Sequence, residues 1–122
     1  MRRIFLVAAL LAALPFAAGD THAAGALVVG SCGAYGEAHD FGNSPAARAS
    51  ALSKCQGPGC RLVVTLKGDC AAFAVDAVNP CGASAWASGG HLGRAQNDAL
   101  RKCFKDGGRE CVIRTFVCDG RG

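Results

Sequence analysis

Eight cysteines are the residues best able to do chemistry in this chain of 122 residues. An even number of cysteines in a small exported protein is typical of a disulfide framework. Cysteines can also bind zinc, which usually requires two close pairs with two to four residues between their members. Cys55 and Cys60 fit the outer limit of that spacing, whereas Cys103 and Cys111 are too far apart. We therefore expect four disulfides and no metal site.

His39 and His91 are the residues best suited to acid–base catalysis, because an imidazole exchanges protons near neutral pH. Two histidines and a nearby lysine can cleave RNA, so a small secreted hydrolase such as a ribonuclease is one hypothesis. Asp76 and Ser88 are residue types found in catalytic triads, but no sequence spacing supports a place for either residue in one. We assign no catalytic residue and no cofactor, and we expect both histidines to be exposed or to cap helices.

An internal repeat determines how these residues are positioned. Copy one covers about residues 25–69 and copy two about residues 70–119. Three cysteines recur in order, because Cys32, Cys55 and Cys60 return as Cys81, Cys103 and Cys111. The sequences around them recur as well, which predicts that the two copies share one chain path.

Each copy reads as two strands, a helix and a third strand. Ser44 as N-cap and Pro45 at the first helical position predict where the first helix begins. The small residues Ala47 and Ala51 of that helix recur as Ala95 and Ala99, on a face suited to packing on a sheet. The predicted segments are strands 26–29, 34–39 and 61–67 with helix 44–55, then strands 72–75, 83–88 and 112–117 with helix 92–105. The fold class is α+β: a duplicated ββαβ unit with pseudo-two-fold symmetry, in which two helices pack on a small sheet stabilised by disulfides.

The repeat also predicts which cysteines are paired. Two bonds join a helix end to the next strand within one copy, and a third joins equivalent hairpin turns across the pseudo-two-fold axis. The remaining two cysteines then pair with each other. The predicted disulfides are Cys55–Cys60, Cys103–Cys111, Cys32–Cys81 and Cys70–Cys118.

The first 23 residues have the layout of a secretory signal peptide. Two arginines precede an apolar run from Ile4 to Ala13, which is too short to span a bilayer of about 30 Å. Cleavage frames exist after Gly19 and after Ala23, and we favour Ala23. We expect a single domain over residues 24–122, secreted or periplasmic, with no membrane insertion after leader removal.

A small crosslinked fold without an assembled set of reactive residues favours binding over catalysis as the role of this domain. Removing Arg2, Arg3 and Asp20 from 13 basic and 9 acidic residues leaves a net charge of +3. One Trp and one Tyr give no stacking platform, so no nucleic-acid partner is expected. The possible interaction surface is Tyr35, Glu37 and Trp86, although a single Trp also suits a core. We expect a binding or effector module for a protein or envelope partner; a purely structural envelope protein is a third possibility.

Several motifs together resemble one family. Ala-Leu-Ser-Lys-Cys55, Cys70-Ala-Ala-Phe-Ala-Val75, Ala-Leu-Arg-Lys-Cys103 and Phe-Val-Cys118-Asp look like the secreted bacterial family catalogued as domain of unknown function 4189. The resemblance runs from about Gly25 to Asp119, and it implies an exported bacterial protein with a duplicated ββαβ domain and no catalytic residue. The family pattern has six cysteines. Cys32 and Cys81 are additional and occupy equivalent positions, which supports a bond between them.

Overall fold

A computed structural model describes residues 23–120 of the chain. The proposed leader, apart from Ala23, therefore lies outside the described residues. The element order agrees with two successive ββαβ units, and a short 3-10 turn at Ser31–Gly33 follows the first strand. The elements are β1 (Ala24–Val29), β2 (Tyr35–Phe41), α1 (Ser44–Lys54), β3 (Arg61–Leu66), β4 (Cys70–Asp76), β5 (Ser84–Gly89), α2 (Leu92–Lys105) and β6 (Cys111–Cys118).

The strands form two antiparallel sheets of three strands each, with the orders β2-β1-β3 and β5-β4-β6. The expectation of one small sheet was therefore wrong, although the α+β class is confirmed. The physical reason is burial: every residue of β1 and of β4 is buried. A central strand buried on both faces needs a cover on each side, which here is a helix on one side and the second sheet on the other.

The molecule has four layers, in the order α1, first sheet, second sheet and α2. Side chains alternate along each strand, so one face of β1 meets α1 through small residues such as Ala26 and Ala51. The corresponding face of β4 meets α2 through Ala72 and Ala99. The opposite faces form the core between the sheets, whose buried members are Leu27, Val29, Leu66, Ala71, Phe73, Val75 and Val117.

The start of α1 differs from the expected cap by one residue. The N-cap is Asn43, whose side-chain oxygen accepts a hydrogen bond from the Ala46 backbone N–H at 2.8 Å. Ser44 is instead the first residue of the helix, and Pro45 follows it in the first turn, where a missing N–H costs nothing. Asn and Ser are comparably good caps, so their order along the chain did not distinguish them.

Helix α1 lies very close to β2. A Cβ atom added to Gly36 would overlap the carbonyl oxygen of Ala51, so only glycine fits at this point of the strand. No helix within residues 23–120 is long and apolar enough to cross a bilayer.

Candidate functional site

All eight cysteines form disulfides, and the structure joins the same four pairs that the repeat predicts. The two bonds within the copies are alike, because the Cα atoms of Cys55 and Cys60 lie 6.1 Å apart and so do those of Cys103 and Cys111. No cysteine thiolate is left to bind zinc. Residues 23–120 also contain no cluster of three histidine, cysteine, aspartate or glutamate side chains arranged to hold a metal ion.

A β-bulge occurs at the same place in both sheets. In the first sheet the register between β1 and β3 shifts between Leu27 and Val28, which leaves Val63 as the extra residue. In the second sheet the register between β4 and β6 shifts at the corresponding point, and the extra residue is Arg114. A bulge changes the direction of a side chain and often lies beside a functional site. The two bulges therefore present different chemistry from one backbone feature.

Arg114 crosses from the second sheet to the first copy. Its Nε donates a hydrogen bond to the Gly33 carbonyl oxygen at 3.3 Å, and its guanidinium lies 5.6 Å from the centre of the Tyr35 ring. These two contacts hold the long side chain in place. The guanidinium forms no ion pair with any carboxylate of residues 23–120. An exposed, oriented arginine of this kind suits a carboxylate or phosphate, which accepts two hydrogen bonds from its planar edge.

Two cavities flank Arg114. We call the first the Arg114 groove; it has a volume of about 310 Å³ and is lined by Gly33, Ala34, Tyr35, Gly36, Glu37, Lys54, Gln56 and Arg114. The second has a volume of about 340 Å³ and is lined by Cys32, Val75, Ala77, Pro80, Val112, Ile113 and Arg114. Most side chains that line the second cavity are aliphatic, whereas the first is lined by more polar and charged side chains. Arg114 thus lies where a charged group and an apolar group of one ligand can bind side by side.

The three residues expected to form an interaction surface are divided between two places. Tyr35 and Glu37 line the Arg114 groove, where the Lys54 ammonium donates to the Glu37 backbone oxygen at 2.8 Å. Trp86 does not line that groove: it is partly buried against the core between the sheets, with the Lys102 ammonium 5.9 Å from its ring centre.

The residues considered for catalysis do not share a described contact. His39 is exposed on β2, with its Nε2 atom 3.8 Å from Asp40 Oδ2, and His91 is the exposed N-cap of α2 without a side-chain hydrogen bond. No hydrogen bond or ion pair between described residues connects the two histidines. Ser88 is exposed on β5, also without such a contact. The hydrolase alternative therefore stays a hypothesis from the sequence alone.

Asp76 has a structural role in the fold. Its carboxylate accepts hydrogen bonds from the backbone N–H of Val78 at 3.0 Å, and from those of Arg109 and Glu110 at 3.3 Å each. The bond from Val78 is the largest of the influences that hold the pKa of this carboxyl below its usual value, and those from Arg109 and Glu110 add to it, against the opposing effect of burial. Asp76 therefore ties the β4–β5 turn to the loop before β6.

Sequence reasoning did not single out Arg114 or Lys54. A signal for Arg114 exists in the repeat, since Cys60-Arg-Leu-Val-Val-Thr-Leu66 aligns with Cys111-Val-Ile-Arg-Thr-Phe-Val117. That alignment replaces the apolar Val63 by a charged residue within a strand. A charge at a position that is apolar in the other copy indicates a surface specific to copy two.

The fold and crosslinks define a small disulfide-stabilised α+β protein with two three-stranded sheets between two helices. Within this class, the family model of the domain of unknown function DUF4189 matches residues 24–118. The chain belongs to that family. Neither a curated protein nor a solved structure gave a match. Four disulfides are typical of a protein that folds in an oxidising compartment.

Proposed function

We propose that the protein is exported and acts as a non-enzymatic binding module that takes an anionic group, a carboxylate or a phosphate, at Arg114. The observation that supports this most directly is an exposed guanidinium, held by Gly33 and Tyr35, that forms no ion pair with a carboxylate of residues 23–120. Because the arginine is already oriented, its side chain loses little additional conformational entropy when a ligand binds. Lys54 adds a second positive charge to the groove.

The chemistry of the cavities supports a ligand with two parts. The anionic group faces Arg114 and Lys54, while an aliphatic group occupies the neighbouring cavity beside Val75 and Ile113. The Glu37 carboxylate also lines the groove and repels purely polyanionic ligands, which disfavours nucleic acid. A partner protein or envelope component that presents a carboxylate beside an aliphatic chain meets these requirements.

The same proposal includes the export of the chain, its domain boundaries and its internal symmetry. The leader of residues 1–23 directs export, and residues 24–122 form one domain in which two ββαβ copies are related by a pseudo-two-fold axis near Cys32–Cys81. The common strand order and the common bulge support the symmetry. The four disulfides support the periplasm or the cell exterior as the location.

The binding proposal is tested by titrating the protein with N-acetyl-leucine and, separately, with inorganic phosphate. We expect NMR shifts at the amides of Gly33, Tyr35 and Arg114, and at least a tenfold weaker affinity in Arg114→Gln. The matched control is Arg48→Gln, which removes the same charge from a different cavity against α1. Shifts that disappear equally in both variants would mean non-specific attraction to positive charge, and no shift in the parent would refute the site.

The hydrolase alternative has its own test. Refolded protein is incubated with RNA and with generic ester and peptide substrates, beside His39→Ala and His91→Ala. We expect no turnover from any of the three proteins. Turnover by the parent that is lost in both variants would overturn the non-enzymatic proposal.

A further inference from the structure

Asp119 carries a buried carboxylate that is only half satisfied. The residue is fully buried at 0 % exposure, and its Oδ2 atom accepts a hydrogen bond from the Gly68 backbone N–H at 3.2 Å. The other oxygen, Oδ1, has no hydrogen-bond partner among residues 23–120. A buried polar atom without a partner costs about 1–3 kcal/mol, and more when it is charged. Such an atom requires an explanation in a native fold.

The position of Asp119 connects the end of β6 to the beginning of β1. Its backbone N–H donates to the Asp69 carbonyl oxygen at 2.9 Å, which holds it against the β3–β4 turn. A Cβ atom added to Gly25 would lie 3.1 Å from the Cβ of Asp119. Asp119 therefore adjoins the first residues of β1, where Ala24 is itself only 2 % exposed.

We propose that the mature chain begins at Ala24 and that its α-ammonium group pairs with Asp119 Oδ1. Hydrolysis of the Ala23–Ala24 peptide bond by a processing peptidase consumes one water and leaves a carboxylate on Ala23 and an ammonium group on Ala24. The new group supplies both the missing donor and a compensating charge. Each group alone is costly to bury, whereas the two together satisfy each other.

The proposal rests on the export part of the proposed function and decides between the two cleavage frames. Cleavage after Gly19 would place the ammonium group at Asp20, four residues before Ala24. The other charged or titratable residues on the adjoining elements are Lys67 and Asp69 in the β3–β4 turn, Glu37, His39 and Asp40 on β2, Arg61 on β3 and Arg114 on β6. Lys67 is exposed, and Asp69 Oδ1 accepts from the Lys67 backbone N–H at 2.8 Å. None of these residues donates to Asp119 Oδ1.

The test compares two N-termini released from a cleavable fusion, so it does not depend on export. One protein begins at Ala24 and the other retains Thr21–Ala23, each with and without Asp119→Asn. An ordinary α-amino group has a pKa of about 7.7–8.0, and pairing raises it. At pH 8 we expect acetic anhydride to label the Ala24 amine about fivefold more slowly than in its Asp119→Asn variant, because a rise of about one pKa unit lowers the unprotonated fraction of the amine at that pH by about that factor.

The extended protein is the control, and its amine is expected to react equally fast with Asp or Asn at position 119. Because the folded pKa is raised, the stabilising contribution is complete below about pH 8 and is lost as pH rises through the folded pKa. The melting temperatures of the Ala24 protein and the extended protein should therefore converge at pH values above the folded pKa of the amine.

Equal labelling of the Ala24 protein and its Asp119→Asn variant would overturn the pairing, as would an exported chain whose N-terminus, mapped by mass spectrometry, is not Ala24. Neither result affects ligand binding at Arg114, so the two proposals fail separately.

Discussion

The two copies use one backbone to carry different side chains. Both sheets have a bulge at the same register position, but the extra residue is Val63 in the first and Arg114 in the second. Val63 packs against the core between the sheets, whereas Arg114 reaches Tyr35 of the other copy. The bulge is therefore common to both copies, whereas its extra residue is charged in copy two and apolar in copy one.

A second difference concerns the loops. The cysteine pair at the helix end is separated by 5 residues in copy one and by 8 in copy two. The hairpin turn before β5 is also longer than the one before β2, and both lengthened loops donate to Asp76. Gly30 occupies the corresponding strand end in copy one. Its backbone N–H donates to the Ala34 carbonyl oxygen at 2.8 Å, just as the backbone N–H of Asp76 donates to the Ala83 carbonyl oxygen at 3.0 Å. Copy two therefore has a carboxylate at the strand end where two longer loops are fixed by hydrogen bonds.

The largest expected effect is the loss of unfolding free energy when a disulfide is removed. It compares a local disulfide, which both copies contain, with the bond that has no counterpart in copy one. Cys70–Cys118 closes a separation of 48 residues between neighbouring strands, whereas Cys55–Cys60 closes only 5. Chain-entropy arithmetic gives a loss of about 4 kcal/mol for the first pair and about 2 kcal/mol for the second. Urea unfolding of the two paired Cys→Ala variants measures both losses. A larger loss from the local pair would contradict this ranking.

The next effect tests how closely each helix approaches its sheet. Gly36 has no room for a Cβ beneath Ala51, whereas the corresponding residue of copy two is Ala85. We expect Gly36→Ala to destabilise the protein by about 2–3 kcal/mol through overpacking. The matched change Ala85→Gly should cost only about 1 kcal/mol, because it mainly increases the freedom of the unfolded chain. Thermal melts compare the two, and equal losses would show that α1 and α2 lie equally close to their sheets.

Most of the fold was predictable because the repeat states it twice. Element order, helix ends and strand alternation appear in both copies, so each weak local signal is supported by the other. The division into two sheets was not predictable from these signals, because the alternation of Leu27 and Val29 identifies an inner face without indicating what covers it. The cover is the equivalent face of β4, with Phe73 and Val75, which only tertiary packing brings into contact.

The candidate site was less predictable than the fold. Tyr35 and Glu37 were identified from the second strand of copy one, but Arg114 lies 79 positions after Tyr35 (114 minus 35) and meets it only across the two sheets. Its direction depends on a bulge, and a one-residue register shift leaves no clear mark in a sequence. Comparing the copies for a charge opposite a valine would have found it.

The smallest effect concerns Asp76, which copy one lacks. Since backbone N–H groups lower the folded pKa of this carboxyl, the ionised form contributes stability above its unfolded pKa of about 3.9. That contribution is lost as pH falls through the still lower folded pKa. We therefore expect Asp76→Asn to be less stable than the parent at pH 7, and this gap should narrow below about pH 4. Urea unfolding between pH 7 and pH 2 measures it.

The control for this comparison is Asp40→Asn. The Asp40 side chain is 70 % exposed, and asparagine accepts its positive φ of 61° as readily as aspartate does. Its difference in stability from the parent should be small. If the Asp76→Asn gap stays constant from pH 7 to pH 2, the two lengthened loops do not depend on the charge of Asp76. The role of Asp76 in copy two would then depend on the hydrogen-bonding geometry of its side chain, which asparagine partly retains.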